Sequence, residues 1–138
     1  MATNKLLADH NRGVLTTIKR DGRPQLSNVA YAYDPEQDLI RVSVTDERAK
    51  TRNLRRDPRA SLHVSTPDLG AYTVAEGDVT LSPVAAEPGD ATVDELVEVY
   101  RTVIGEHPDW AEFRTAMVTD RRLVIRLKIT HSYGWGGR

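Results

Sequence analysis

Residues 47–59 concentrate the side chains best suited to binding an anion. The segment carries six lysine or arginine side chains but only two carboxylates, those of Glu47 and Asp57. Lysine and arginine bind phosphate and carboxylate groups through charge-assisted hydrogen bonds. The segment therefore indicates either a site for an anionic ligand or a helix surface that is simply solvated.

Helical spacing separates these two possibilities. At about 100° per residue, one line of the helix carries Arg48, Arg52, Arg55 and Arg59. Leu54, the only large apolar residue of the segment, falls on roughly the opposite side with Lys50 and Asn53. We therefore expect the arginine line to be solvated, and Lys50 and Asn53 to point inward. Inward polar groups need partners, and a bound phosphate is one candidate.

Length and composition predict a single globular domain over residues 1–138. The hydrophobic content of 39% and charged content of 28% are ordinary for such a domain. A net charge of -1 disfavours nucleic-acid binding, and the absence of cysteine excludes disulfides and thiolate metal ligands. The four histidines lack metal-ligand spacing, so we predict no metal site. No apolar run approaches ~20 residues and no signal-peptide pattern is present, which favours a cytoplasmic protein without a membrane partner.

Runs of apolar and β-branched residues predict six strands. These cover residues 14–19, 25–33, 39–45, 60–65, 72–82 and 123–130. Asp21-Gly22 predicts a hairpin between the first two strands, and Gly77 predicts a bulge in the fifth. The glycine-rich residues 133–138 are predicted to be irregular.

Four helices accompany the strands. Asn4 is the predicted cap of a short first helix, and the cationic helix is predicted to end near Asp57 because a proline follows. Thr92 and Glu95 form a predicted capping box for a third helix, and residues 110–117 predict a fourth. Closely spaced antiparallel strands predict a mainly β fold, a six-stranded barrel with peripheral helices. Such a barrel is filled by its own side chains, so a ligand must lie outside it, against the helices or between subunits.

Three segments, taken in order, resemble a known family: residues 13–28, 40–44 and 48–60. Together they look like the split β-barrel superfamily of pyridoxamine-phosphate-oxidase-like flavin-binding proteins, and within it the F420-dependent reductases. Residues 72–77, 117–122 and 131–134 extend the resemblance over most of the chain. The resemblance implies a six-stranded antiparallel split barrel. It also implies a homodimer with the cofactor sites at the subunit interface.

The resemblance also implies a set of cofactor-binding residues. In that branch the deazaflavin coenzyme F420 lies along the second and third barrel strands, with its phosphate near the start of the cationic helix. The matching positions here are Gln25, Ser27, Asn28, Ser43, Arg48, Lys50 and Asn53. A cation at a helix start suits a phosphate on physical grounds as well. Without the resemblance, the four strand residues are better interpreted as a polar strand face.

The implied activity is that of an F420-dependent oxidoreductase. Its reaction is hydride transfer from the reduced deazaflavin to a small electron-poor organic acceptor. No hydrolase, P-loop or Rossmann motif is present, and no catalytic residue or proton donor can be assigned. Two alternatives stay open. One is an FMN-dependent oxidase or reductase of the same fold, and the other is a non-catalytic F420 carrier.

Overall fold

A computed structural model describes residues 2–136, which form one curled antiparallel sheet with four helices. The strands are β1 Arg12–Ile18, β2 Pro24–Ala30, β3 Ala32–Asp34, β4 Leu39–Thr45, β5 Arg59–Ser65, β6 Tyr72–Leu81 and β7 Arg122–Trp135. The helices are α1 Ala2–Asp9, α2 Ala49–Arg56, α3 Ala91–Val103 and α4 Trp110–Thr119. The order of strands in the sheet is β2-β1-β5-β6-β7-β4-β3. The predicted mainly β class with peripheral helices is confirmed.

The chain itself joins the two ends of this sheet. β2 and β3 lie at opposite ends, yet they are separated only by Tyr31. The Tyr31 backbone N–H donates to the Asn11 carbonyl oxygen at 3.0 Å, and its buried hydroxyl donates to the Leu7 carbonyl oxygen at 2.8 Å. The predicted second strand is therefore bent at Tyr31 and divided between two neighbours. This bend explains why seven strands are present where six were predicted.

The long β6–β7 ladder corrects the prediction for the end of the chain. β7 continues to Trp135, where it pairs with Tyr72, so residues 133–135 are extended and not irregular. The glycines in this stretch allow close packing, since a Cβ at Gly134 would overlap the Tyr72 carbonyl oxygen. Residues 137–138 of the predicted irregular segment lie outside the described residues. The predicted bulge at Gly77 is confirmed by a register shift between Glu76 and Gly77.

The start of α3 differs from the predicted capping box. Asp90 is the N-cap, and its carboxylate accepts a hydrogen bond from the Val93 backbone N–H at 2.9 Å. Thr92 instead donates to the Pro83 carbonyl oxygen, and Glu95 binds Arg41 and Arg126. The box pattern was wrong because Asp90, two residues earlier, is an equally good cap and Glu95 has stronger partners elsewhere.

Two apolar clusters hold the protein together. The larger lies inside the curled sheet, and the smaller packs α3 and α4 against the outer face of β7 through Val124. Leu96 and Phe113, from α3 and α4, belong to this smaller cluster. The two helices therefore form a wall beside β4 and β7. No helix within residues 2–136 is both long enough and apolar enough to cross a membrane.

Candidate functional site: a groove between two strand edges

A groove of about 680 Å³ lies where β2 and β4 approach each other without pairing. Among the strands that the structure describes, β2 pairs only with β1, and residues 42–45 of β4 pair only with β7. Backbone N–H and C=O groups therefore face the groove from two strand edges without strand partners. The volume is within the range of about 300–1,000 Å³ that is usual for small-molecule and cofactor sites.

The lining of the groove combines a polar set and an apolar set of residues. The polar set contains Ser27 and Asn28 of β2, Ser43 of β4 and three cationic side chains, Arg48, Lys50 and Arg122. The apolar set comes mainly from α3, α4 and the residue after α3, with Leu96, Val99, Tyr100, Val103, Ile104, Phe113 and Met117. This arrangement suits a molecule with a flat, weakly polar body and an anionic group at one end.

The start of α2 is fixed directly beside β4. Arg48 is the N-cap residue in an extended conformation, and the buried Thr51 side chain donates to the Thr45 carbonyl oxygen at 2.8 Å. The first turn contains no acidic residue. Its free backbone N–H groups and the positive end of the helix dipole therefore add to the charges of Arg48 and Lys50.

Half-buried cations show where charge is left uncompensated. Between residues 5 and 136, the half-buried lysines and arginines are Arg41, Lys50, Arg114, Arg122 and Arg126. Three of them pair with carboxylates: Arg41 and Arg126 with Glu95, and Arg114 with Asp94. Lys50 and Arg122 have no salt-bridge partner among the described residues, and both line the groove.

Burial and the neighbouring cations act together on Lys50. Burial lowers the pKa of the Lys50 ammonium, and the nearby charges of Arg48 and Arg122 lower it further. The charged form of Lys50 is thus disfavoured as long as only cations face it. An anion in the groove would reverse this effect, because it would stabilise all three charges together.

Two buried polar atoms of the groove also lack partners. Within the described part of the chain, Ser27 Oγ and Arg122 Nε are the buried side-chain atoms without a hydrogen bond. A buried polar group without a partner costs roughly 1–3 kcal/mol. Both residues line the groove from opposite sides. Unpaired strand edges, uncompensated cations and these two atoms all fit a ligand that carries polar edges and an anionic group.

Five of the seven residues predicted for the cofactor come together in this groove: Ser27, Asn28, Ser43, Arg48 and Lys50. The predicted facing of α2 also agrees with the structure. Leu54 and Asn53 are buried, Lys50 is half-buried, and Arg52 and Arg55 are exposed.

The other two predicted residues, Gln25 and Asn53, lie behind the groove. The Asn53 amide donates to the hydroxyl of the buried Thr17 at 3.1 Å, and that hydroxyl donates to the Gln25 side-chain oxygen at 3.0 Å. Asn53 also accepts a hydrogen bond from Arg56 at 3.2 Å. These bonds link α2 to β1 and β2. In this structure the two residues position the groove's walls, and their direct contact with a cofactor stays a prediction.

Sequence reasoning did not single out Arg122 or the apolar wall. Arg122 is 72 residues from Lys50 in the chain, and only the β4–β7 pairing brings it beside Ser43. The apolar residues of α3 fit an ordinary core-facing helix as well as they fit the wall of a groove. The one available signal was the doublet Arg121-Arg122 at the start of the last strand, within a segment that resembles the family.

The fold is that of a split-barrel protein, and the groove is its candidate site. Residues 2–136 match the pyridoxamine 5'-phosphate oxidase family, and the chain belongs to that family. The match confirms the resemblance predicted from the sequence. An F420 reductase of known structure is 25% identical, with a TM-score of 0.68 over 96% of this chain and 97% of that chain.

Two mycobacterial structures are also similar. A conserved hypothetical protein from Mycobacterium tuberculosis has a TM-score of 0.74 at 22% identity, covering 96% of this chain and 81% of that one. A heme binding protein from Mycobacterium smegmatis has a TM-score of 0.71 at 22% identity, covering 99% of this chain and 53% of that one. At these identities the two comparisons show the shared fold.

Proposed function

We propose that this protein is an F420H2-dependent reductase that acts on a small electron-poor organic acceptor. The carrying observation is a groove in which Lys50 and Arg122 adjoin two unpaired strand edges. Both side chains are half-buried, and neither has a counter-ion among residues 2–136. Membership of the oxidase family and the similarity to an F420 reductase support a flavin or deazaflavin in this place. When bound, the reduced deazaflavin supplies a hydride from C5.

The protein's own part in this function is binding, orientation and exclusion of water. Arg48, Lys50 and the first turn of α2 bind the phosphate end. Ser27, Asn28 and Ser43, together with the backbone edges of β2 and β4, hydrogen-bond the polar edge of the ring system. The wall from α3 and α4 shields one side of the groove from water and leaves room for an apolar or conjugated acceptor.

Calorimetric titration of the purified protein with oxidised F420 tests the proposal. We expect micromolar or tighter binding, followed by acceptor-dependent oxidation of F420H2 across a panel of conjugated ketones and quinones. If the protein does not bind F420, the proposal is wrong. Binding without oxidation of any acceptor supports a carrier instead, and markedly tighter binding of FMN supports the flavin-dependent alternative.

We also propose that the protein is a homodimer with the groove at the subunit interface. One sheet face presents Leu26, Tyr133 and Trp135, whose exposed fractions are 59%, 47% and 69%. Register places Asn28 of the groove in the same cross-strand row as Val14, His63, Val74 and Tyr133. This sheet face, which carries polar as well as apolar side chains, is therefore continuous with the groove, as an interface beside the cofactor would require.

The oligomeric state can be measured by light scattering coupled to size-exclusion chromatography. We expect a dimer for the unaltered protein and a shift toward monomer for Trp135→Ser combined with Leu26→Glu. A monomer at high micromolar concentration would contradict the dimer.

A further inference from the structure

We propose that Arg122 is a third anion-binding residue, which holds the ligand's phosphate from the β7 side while Lys50 holds it from α2. The proposal rests on the function given above, because it assigns a new residue to the same groove. It adds a physical prediction of its own: the phosphate end of the site is a two-sided clamp, built from two elements that only the folded sheet brings together.

The position of Arg122 is fixed by the sheet. It is the first residue of β7 and pairs with Thr45, the last residue of β4, immediately before the turn that leads to Arg48 and α2. One of its terminal nitrogens donates to Ser43 Oγ at 3.3 Å. This bond is long for a charged donor, for which about 2.7–2.9 Å is usual.

The free edge of the Arg122 guanidinium has the geometry that a phosphate requires. Its Nε is buried and has no hydrogen-bond partner within residues 2–136. In a guanidinium, Nε–H and a neighbouring terminal N–H form a planar pair that binds two oxygens of one phosphate or carboxylate. An arginine that served only the fold would be expected to use this edge on a carbonyl or a carboxylate, as Arg41 and Arg126 do with Glu95.

The neighbouring Arg121 provides an internal contrast. It is 60% exposed, and its guanidinium donates to the Asp46 carboxylate at 2.8 Å. Asp46 also pairs with Arg55 at 2.5 Å, so one acid serves two arginines on the outside of the same turn. Charge is thus neutralised on the outer side of the turn but not on the side of Arg122. Arg121 and Arg122 are adjacent but have different electrostatic surroundings. Substitutions at these two positions therefore form a matched pair.

A clamp of this kind discriminates ligands by their phosphate. A ligand whose ring system fits the groove but which lacks a phosphate gains nothing from Arg122, whereas a phosphate-bearing ligand gains a bidentate charged contact. FMN and riboflavin share one ring system and differ in the phosphate. Removal of Arg122 should therefore lower the affinity for F420 and for FMN, and leave that for riboflavin unchanged.

The test compares the unaltered protein with Arg122→Gln, Arg122→Lys and Arg121→Gln. Circular dichroism and thermal unfolding establish that each variant is folded, and calorimetry gives the dissociation constant for F420. For Arg122→Gln we expect a loss of about ten- to hundredfold, the size of a charge-assisted hydrogen bond. Arg122→Lys should recover part of the loss, and Arg121→Gln should change affinity by less than about twofold. Equal effects at residues 121 and 122 would overturn the proposal, as would undiminished binding by Arg122→Gln.

Two further readouts keep the test decisive. If Arg122→Gln does not fold, Arg122→Lys replaces it in the test, because lysine keeps the charge but cannot form the bidentate contact. Unchanged affinity of Arg122→Lys for F420 would then refute the clamp.

Inorganic pyrophosphate serves as a probe that needs no cofactor. If unaltered protein binds neither F420 nor FMN, yet pyrophosphate raises its melting temperature and Arg122→Gln abolishes that rise, the reductase proposal fails while the anion clamp stands. If pyrophosphate has no effect and cofactor binding is insensitive to residue 122, the clamp fails alone.

Discussion

The two groups of half-buried cations in this protein differ in one respect, the presence of a counter-ion. Glu95 lies between Arg41 and Arg126, with its carboxylate oxygens 2.9 Å and 2.5 Å from their guanidinium nitrogens. In the groove, Lys50 and Arg122 have similar burial but no carboxylate within salt-bridge distance among the described residues. Burying a charge without compensation is costly, so a fold that needed only stability would pair them too. The first group ties α3 to the sheet, whereas the second is left open to a ligand.

The comparison predicts that removing a charge from the groove changes cofactor affinity, whereas removing one from the paired region changes stability. Lys50→Ala should weaken F420 binding by about 1.5–3 kcal/mol, because it removes a charge-assisted contact to the phosphate. Arg59→Ala is the control. That side chain is exposed and pairs with Asp57 at 2.8 Å, outside the groove. Calorimetric titration of both variants measures the difference, and equal losses would mean that α2 faces the ligand with its other side.

The paired region should respond in stability and not in cofactor affinity. Glu95→Gln leaves Arg41 and Arg126 facing a neutral amide, and we expect a loss of about 1–2 kcal/mol in the free energy of unfolding after discounting for partial exposure. Denaturant unfolding provides the measurement. Glu98→Gln, which loses only an exposed pair with Arg101, should cost less than about 0.5 kcal/mol. A Glu95→Gln protein of unaltered stability would remove the distinction between the two regions.

The same carboxylate gives a pH dependence with a defined sign. Burial raises the pKa of Glu95, but the hydrogen bonds from Arg126 and Arg41 outweigh this and the net pKa is lowered. A lowered carboxyl pKa adds stability that is present above the ordinary value near 4.5 and is lost as pH falls through the folded-state value. Acid unfolding of the unaltered protein should therefore show a decline in this range that is smaller in Glu95→Gln. Superimposable acid profiles for the two proteins would contradict the assignment.

In these two regions, the sequence predicted features that depend on residues close together in the chain, but not contacts between residues far apart in the chain. The inward side of α2 was predictable because Leu54 and Lys50 lie within one helix, where spacing determines the facing. The barrel class and the bulge at Gly77 followed from local strand and glycine patterns. The partners of Glu95 were not predictable, since the capping-box pattern with Thr92 is local and the pairing with Arg126 depends on how α3 crosses the sheet.

The same limit applied at the site. Arg122 joins Lys50 only through the β4–β7 register, which a single sequence does not specify. Asn53 was correctly expected to point inward, and Gln25 was predicted to bind the cofactor, but polar residues on a helix and a strand can contact each other as well as a ligand. Here both contact Thr17, which no local pattern indicated.

The smallest predicted effects concern the titration of Lys50, and they have opposite signs for folding and binding. Because the pKa of Lys50 is lowered, the unfolded chain holds this proton more tightly than the folded protein does. Stability should therefore rise slightly as pH increases from the lowered pKa toward the ordinary lysine value, while affinity for the phosphate-bearing cofactor falls over the same alkaline interval. Lys50→Met, which keeps an apolar stem but not the charge, should raise the free energy of unfolding at neutral pH by about 0.5 kcal/mol.

The affinity for F420 should also fall less at alkaline pH in Lys50→Met than in the unaltered protein, because methionine has no proton to lose. Arg52→Met, on the exposed side of the same helix, is the matched control for both measurements and should alter neither. Denaturant unfolding at neutral pH and calorimetric titration across the alkaline range supply the two data sets. If Lys50→Met lowered stability as Glu95→Gln does, Lys50 would belong with the compensated cations, and its charge would not be held in reserve for a ligand.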